Sequence, residues 1–358
     1  MSFAERLSHV LAVRSGRGAF SGTVLVQQGD EPWFAGACGY ANRSWEVDNR
    51  LDTRFRVASI SKMFTAVAVL QLIDEGRLGL GDSLVECLDL EETTIPKRAT
   101  VHHMLTMTSG IADWFDESGD WEEEWAALCR EHPIYLFRRN QDYLPLFLNE
   151  PPIAPVGEEY HYNGAGYILL GLVVERLSGL PYFDYVREHV FARANMERSG
   201  FFALDGVAPE VAEGYVPVTN EDDRIAGWRK NIYSTTPEAA ADGGATSTAA
   251  DLVRFAQALR DGLLLSPEMT DAMLTPRVMQ HDERYRGYAW KYGYGNNFLL
   301  DESDNVVRWG HTGEEDGASC RLYCYPQQGL DVAILGNQSW CAGDLAWQIH
   351  DLIVKRRP

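Results

Sequence analysis

The chain has 358 residues, 45% of them hydrophobic and 23% charged, which is room for one large globular domain or two ordinary ones with ample core. Its formal net charge of −20 argues against nucleic acid and anionic membrane surfaces as partners, and a cationic or neutral small molecule is more easily attracted. No basic-then-apolar leader opens the chain and no apolar run is long enough to span a bilayer, so neither export nor membrane insertion is expected. Six scattered cysteines (Cys38, Cys87, Cys129, Cys320, Cys324 and Cys341) form no CxxC pair, and they read as reduced core thiols of a cytoplasmic protein. Cys320 and Cys324 are expected on one face of one strand, too far apart to bridge.

In chain order, Phe3, Leu7, Val10 and Leu11 predict a helix over residues 3–14, ended by Gly16-Arg17-Gly18. Residues 21–27 and 33–40 predict a β-hairpin around Gln28-Gly29-Asp30. The apolar run from Met63 to Ile73 predicts a buried helix closed by Asp74-Glu75-Gly76. Thr100 caps a short helix that Thr108-Ser109-Gly110 stops. Residues 114–150 read as helical and rich in aromatics, most of them expected in the core and some walling a cleft. Helices are expected over 168–177, 181–195 and 249–260, with mostly loop between 205 and 240 and room for short strands near Gly214-Tyr215-Val216. Strands are expected at 292–298, 306–309, 319–325 and 332–335, and Leu345, Ile349, Leu352 and Ile353 mark a closing helix. This order predicts an α/β (α+β) protein: an antiparallel sheet flanked by N- and C-terminal helices, with a helical block inserted. Residues 1–95 and 240–358 would form the discontinuous sheet domain and 96–239 the mainly helical one, with the active site in the cleft between them.

At the head of the buried helix stand Ser59 and Lys62, three residues apart. Helical spacing puts both side chains on one face, one turn apart. Main-chain N–H groups and the positive end of the helix dipole lie at such a start. A lysine held away from bulk water has its ammonium form disfavoured and can exchange protons with a neighbouring hydroxyl, which is how a serine becomes a nucleophile. Rival chemistries lack support: the chain has no HExxH, P-loop, strand-following GxGxxG or GxSxG elbow. His102 and His103 are adjacent on a helix, point apart and have no third ligand nearby in sequence, so neither a metal nor any other cofactor is expected. Glu91-Glu92 and Asp222-Asp223 read as solvated surface.

Five ordered motifs over roughly residues 20–340 carry a resemblance. They are Ser59-Ile60-Ser61-Lys62; Thr100 to Gly110; Tyr162 before Gly166-Tyr167-Ile168-Leu169-Leu170-Gly171; Gly243-Gly244 before Ser247 to Leu252; and Gly310-His311-Thr312-Gly313. Together they resemble the serine β-lactamase and penicillin-binding-protein superfamily, nearest its class C-like branch, which also holds esterases, D-stereospecific peptidases and amidases. The resemblance implies that Ser59 forms an acyl-enzyme while Lys62 and Tyr162 share the proton traffic. It also implies an oxyanion hole from the main-chain N–H groups of Ser59 and Glu314, and a substrate-binding edge of His311, Thr312, Gly313, Glu314 and Asn163. Two departures stand out. The family's Tyr-x-Asn becomes Tyr162-Asn163-Gly164, without the side-chain amide at the third position, and Asn163 falls one place early. The acids Glu314-Glu315-Asp316 follow the His-Thr-Gly motif where the family often has small residues, and they would favour cationic substrates if they faced the cleft. His311 in place of lysine is mostly uncharged at neutral pH and holds a substrate carboxylate weakly. The expectation is a serine hydrolase acting on a small ester, amide or peptide, nearer an esterase or amidase than a true β-lactamase. A penicillin-binding protein or weak β-lactamase, and a non-catalytic binder on the same fold, are the alternatives, and intact Ser59 and Lys62 argue against the last.

Overall fold

The computed structural model describes residues 1–90, 92–115, 119–222 and 224–355; Glu91 and Asp223 lie outside them, while Glu92 and Asp222 are exposed as expected. Eight antiparallel strands form one sheet in the order 31–38, 22–28, 330–336, 318–325, 306–315, 297–300, 289–292, 278–279. All eight come from residues 22–38 and 278–336. The stretch between them is chiefly helical and carries a hairpin, Tyr215–Thr219 with Ile225–Lys230.

Alternation along the strands explains the two cores. Val332 and Ile334 join Val24 and Val26 on one face, where the helices Phe3–Gly16 and Gly343–Val354 cover them with Leu7, Leu11, Leu345 and Ile349. Ala333 and Leu335 face the other way with Leu25, Cys320, Leu322 and Cys324, into the larger core. A sheet covered on both faces favours apolar residues along its strands, and Leu330–Gly336 is buried throughout, its one acid, Asp331, being met by Arg260 at 2.5 Å. Cys320 and Cys324 do share a face, and all six cysteines are free thiols.

The helix Ser61–Asp74 runs through the larger core, buried from Ser61 to Leu72. A helix apolar all round is the signature of complete burial. Phe64 meets Phe191 and Phe255 edge-on at 5.0 and 4.8 Å between ring centroids. Gly295, at φ +70°, turns against this helix so closely that a Cβ there would sit 2.7 Å from the Ala66 Cβ.

Several elements differ from the sequence reading. Residues 292–298 are two strands, Ala289–Tyr292 and Asn297–Leu300, reversed at Gly293–Asn296, because the glycines and Asn296 that resemble strand composition supply the turn. Among the described residues of 114–150 the α-helix is limited to Trp121–Glu131; short 3₁₀ turns follow, where Pro133 and Pro145 disfavour a continuous α-helix. Residues 181–195 begin as an α-helix, Tyr182–Val186, and widen into a π-helical turn, Arg187–Phe191. A helix not anticipated, Pro267–Met273, carries both of its start signals: Ser266 caps it and proline occupies its first turn.

The strand Val306–Glu315 crosses directly beside the turn that bears Ser59. A Cβ at Gly313 would lie 2.2 Å from the Val57 carbonyl oxygen and 3.3 Å from the Ala58 Cβ, so only glycine permits this approach. Gly313→Ala should therefore destabilise the fold by about 1–3 kcal/mol through overpacking. Chemical denaturation would read this, and an unchanged midpoint would show that the two segments are not in contact.

Candidate active site

Ser59 sits on a 3₁₀ turn, Ala58–Ile60, immediately before the buried helix. Ala58 precedes it at φ +46°, a left-handed conformation that a residue with a Cβ adopts only when its surroundings impose it. Those surroundings are visible. Val57 N–H donates to the Ala245 carbonyl, Ser61 Oγ donates to the Ala58 carbonyl at 2.7 Å, and Ala245 N–H donates to Ser61 Oγ at 3.0 Å. The segment Asp242–Ala245 thus buttresses the turn, which explains why the Gly243-Gly244 motif matters despite its distance in sequence.

Lys62 is 1% exposed. Its Nζ donates to Ser59 Oγ at 3.2 Å and to the Asp242 main-chain carbonyl at 2.7 Å. The ring centroids of Tyr162 and Tyr167 lie 4.8 and 5.7 Å from Nζ. Ser59, Lys62 and Tyr162 therefore converge, and the chemistry open to the group is proton exchange between amine, hydroxyl and phenol around one serine.

His311 takes a different place from the expected cleft lining. It is 1% exposed, and both ring nitrogens are engaged within the protein. Nδ1 lies 2.6 Å from the Thr312 carbonyl oxygen, which can only accept, so Nδ1 carries the proton. Nε2 then accepts from the Tyr292 hydroxyl at 3.0 Å. Burial, with the charge of Lys62 adding to it, pushes the imidazole down to about 3, so it is neutral at physiological pH. Its ring lies 6.4 Å from that of Tyr162. Thr312 Oγ1 is 2.9 Å from the Tyr323 hydroxyl.

Asn163 does not serve the pocket through its side chain. Its Nδ2 donates to the Ile111 carbonyl at 3.1 Å and its Oδ1 accepts from Gly166 N–H at 2.7 Å, capping the helix Gly164–Ser178. The cap consumes both ends of the amide. At the third motif position, a Cβ on Gly164 would fall 2.6 Å from Trp114 Nε1 and 2.7 Å from Asp242 Oδ2. The indole and the carboxylate occupy the space into which a side chain would grow.

The acids after the His-Thr-Gly motif are compensated. Glu314 meets Arg321 at 2.6 Å and accepts from Ser319 Oγ at 2.9 Å; Glu315 meets Arg56 at 2.5 Å. Burial pushes both carboxyls up and the arginines draw them back down. Asp316 accepts from Ser339 Oγ. The expected electrostatic preference cannot come from free charge on Glu314 or Glu315.

A pocket of about 50 Å³ opens beside Ser59, lined by Trp114, Phe115, Trp121, Trp125, Tyr143 and Asp242 and also by Arg56, Glu314 and Glu315. Four of the aromatics expected mostly in the core therefore face the site: Trp114, Trp121, Trp125 and Tyr143. Phe137 and Phe147 are core as read, and Tyr135 is exposed. A larger cavity, about 680 Å³, lies elsewhere; it shares Arg56 with this pocket but is not lined by Ser59. His102 and His103 turn to other tasks: His102 Nδ1 lies 2.9 Å from the Tyr294 hydroxyl, and His103 Nδ1 accepts from Thr100 N–H. No group of three or more His, Cys, Asp or Glu among the described residues is arranged to hold a metal ion, and no helix among them is long and apolar enough to cross a membrane.

Two acids escaped the sequence reading. Asp113 accepts from the main-chain N–H groups of Gly164 and Ala165, both at 2.8 Å, and so anchors the start of the helix that follows Tyr162. Asp242 accepts from Trp114 Nε1 at 2.9 Å. Each abuts a recognised motif: Asp113 follows Thr108-Ser109-Gly110 and Asp242 precedes Gly243-Gly244. That adjacency was the available signal.

Comparison with known proteins bears on the family and the fold. A family model described as "Beta-lactamase" matches residues 7–344. The chain is 27% identical over 339 residues to penicillin-binding protein 4* of Bacillus subtilis, spanning 89% of this chain and 68% of that protein. It is 27% identical over 395 residues to esterase EstB of Burkholderia gladioli, spanning 99% and 96%. The solved structure of a penicillin-binding protein from Bacillus halodurans superposes with a TM-score of 0.84 at 36% identity, over 96% of this chain and 99% of that one.

Burial pushes the Asp113 carboxyl up to about 6 from 3.8, the N–H donors drawing it back and nearby Asp242 adding to the rise. The native state therefore holds this proton more tightly than the unfolded chain does. Its contribution to stability is fullest below about pH 4 and is lost as pH rises towards and through about 6. Asp113→Asn should flatten that part of the stability profile, read as unfolding midpoints between pH 4 and 7. An identical slope in the variant would reject the assignment.

Proposed function

Since the chain belongs to the beta-lactamase family, a family of serine hydrolases, we propose that it transfers acyl groups from small esters or amides through a covalent intermediate on Ser59. The observation that carries this reading is the 3.2 Å contact of Lys62 Nζ with Ser59 Oγ, made at the edge of a pocket. Ser59 Oγ attacks the substrate carbonyl, and its proton passes to the Lys62–Tyr162 pair. The pair delivers a proton to the leaving group as the carbonyl re-forms, and afterwards activates the water that releases the acid. The main-chain N–H groups of Ser59 and Glu314 receive the oxyanion, with Gly313 allowing the strand to approach. His311 acts as a positioning residue: neutral and fixed by Thr312 and Tyr292, it holds the wall beside Tyr162 without adding a second cation near Lys62. Substrate would enter between a sheet unit, residues 1–95 and 240–358, and a mainly helical unit, residues 96–239. Ser59 from the first and Trp114, Phe115, Trp121, Trp125 and Tyr143 from the second line one pocket, which supports that division.

An esterase or amidase is favoured over a β-lactamase because no carboxamide side chain reaches the pocket from position 163 or 164. Without that partner, the polar amide of a β-lactam or peptide loses roughly 1–3 kcal/mol. Penicillin binding is the second reading, supported by the 36% identity to the Bacillus halodurans protein over almost the whole chain. The six free thiols support a reducing, cytoplasmic setting.

A fluorophosphonate probe should label the wild-type protein on Ser59, and Ser59→Ala should abolish labelling; undiminished labelling of the variant would remove the nucleophile. Lys62→Ala should slow acylation by p-nitrophenyl esters about 10²–10⁴-fold. A rate within a few-fold of wild type would reject the role of Lys62. Turnover of a chromogenic cephalosporin faster than that of the esters would reverse the preference between the two readings.

A further inference from the structure

The pocket beside Ser59 contains a carboxylate that the acyl-transfer steps do not use. Asp242 is 8% exposed and lines the pocket. Its Oδ2 accepts from Trp114 Nε1, while Oδ1 has no hydrogen-bond partner among the described residues. Glu314 and Glu315 are each met by an arginine. No cationic nitrogen of a described residue lies within 4.0 Å of the Asp242 carboxylate. Lys62 contacts the main-chain carbonyl of the same residue, not its side chain. Among the described residues that line the pocket, Asp242 is thus the carboxylate that no arginine or lysine side chain meets.

Around it stands an aromatic wall. Trp114 packs edge-on to Tyr143 at 5.0 Å, and Phe115 packs edge-on to Trp121 and Trp125 at 4.8 and 5.5 Å. Aromatic faces attract cations through their quadrupole, and more strongly where water is excluded. Gly164 is the enabling residue, because any side chain there would collide with the indole and carboxylate that build this corner. The chain's net charge of −20 draws cations towards the protein.

Resting on the acyl-transfer reading above for the role of Ser59, we propose that this pocket binds the ammonium group of a short, positively charged acyl chain. Asp242 Oδ1 accepts from the ammonium while the aromatic faces surround it. A volume of about 50 Å³ admits a small ammonium arm. The acyl portion is the part assigned to this pocket, because it stays attached to Ser59 through both half-reactions.

The test uses two p-nitrophenyl esters that differ by NH₃⁺ for CH₃, those of 3-aminopropanoate and butanoate. In each, the Ser59 Oγ–C bond forms as the C–O bond to p-nitrophenolate breaks, and water then releases the free acid. Intrinsic reactivity of the esters cancels when enzymes are compared, so the readout is the ratio of their kcat/KM values, corrected for spontaneous hydrolysis. The ratio for wild type should exceed that for Asp242→Asn by about tenfold or more, and the excess should shrink with added salt. An unchanged ratio overturns the proposal. A readout that needs neither turnover nor substitution is titration of the wild-type tryptophan fluorescence with 3-aminopropanamide and with butanamide. Binding of the ammonium amide should be about tenfold tighter, and equal binding overturns the proposal. Tighter binding of the ammonium amide in a protein that hydrolyses neither ester and takes no label on Ser59 would uphold the cation pocket and reject the acyl-transfer reading.

Discussion

The amine of Lys62, suspended between the Ser59 hydroxyl and the Asp242 carbonyl, is the contact on which the site depends. It joins two parts of the chain that are far apart in sequence, and it does so inside a core where an amine has few other partners. Each neighbour is arranged to keep it there. The fully buried helix fixes the lysine's stem, and the Asp242–Ala245 segment bonds to the Ser59 turn. The left-handed Ala58 is the strain that this bracing holds in place.

Charge around that contact is managed by pairing. Two carboxylates lining the pocket are met by Arg56 and Arg321, and the buried histidine on the adjacent strand is neutral because burial disfavours its charged form. Balanced in this way, a strongly acidic protein can keep Lys62 beside Ser59 without several free carboxylates competing for the ammonium. Asp242 departs from this rule. Its main chain holds Lys62 while its side chain lines the aromatic pocket, so one residue links the proposed proton-transfer group to the proposed substrate-selecting wall.

Glycine shapes the site by absence. Gly313 admits the strand to the Ser59 turn, Gly295 admits a reversal against the central helix, and Gly164 leaves room for the Trp114–Asp242 pair. The loss of the family's amide at position 164 is thus a repacked corner, with an indole and a carboxylate filling the volume. Asn163, one residue earlier, shows how little sequence shift separates a capping role from a ligand-facing one.

Local chemistry was legible from the residues themselves. The three-residue spacing of Ser59 and Lys62, the apolar helix behind them, the Thr100 cap and the strands near the C-terminus follow from local pattern and composition, which nearest neighbours in sequence set. The turn at Gly293–Asn296 and the helix at Pro267–Met273 were equally local but were misread or passed over, although their glycine, serine and proline signals were present. What only the tertiary structure decided was which distant groups meet: Arg56 with Glu315, Trp114 with Asp242, His311 with Tyr292, and which aromatics in or against the core, Trp114, Trp121, Trp125 and Tyr143, also line the pocket. An aromatic side chain favours removal from water on a core surface and a pocket wall alike, so composition cannot tell the two apart. The packing of segments remote in sequence makes that choice.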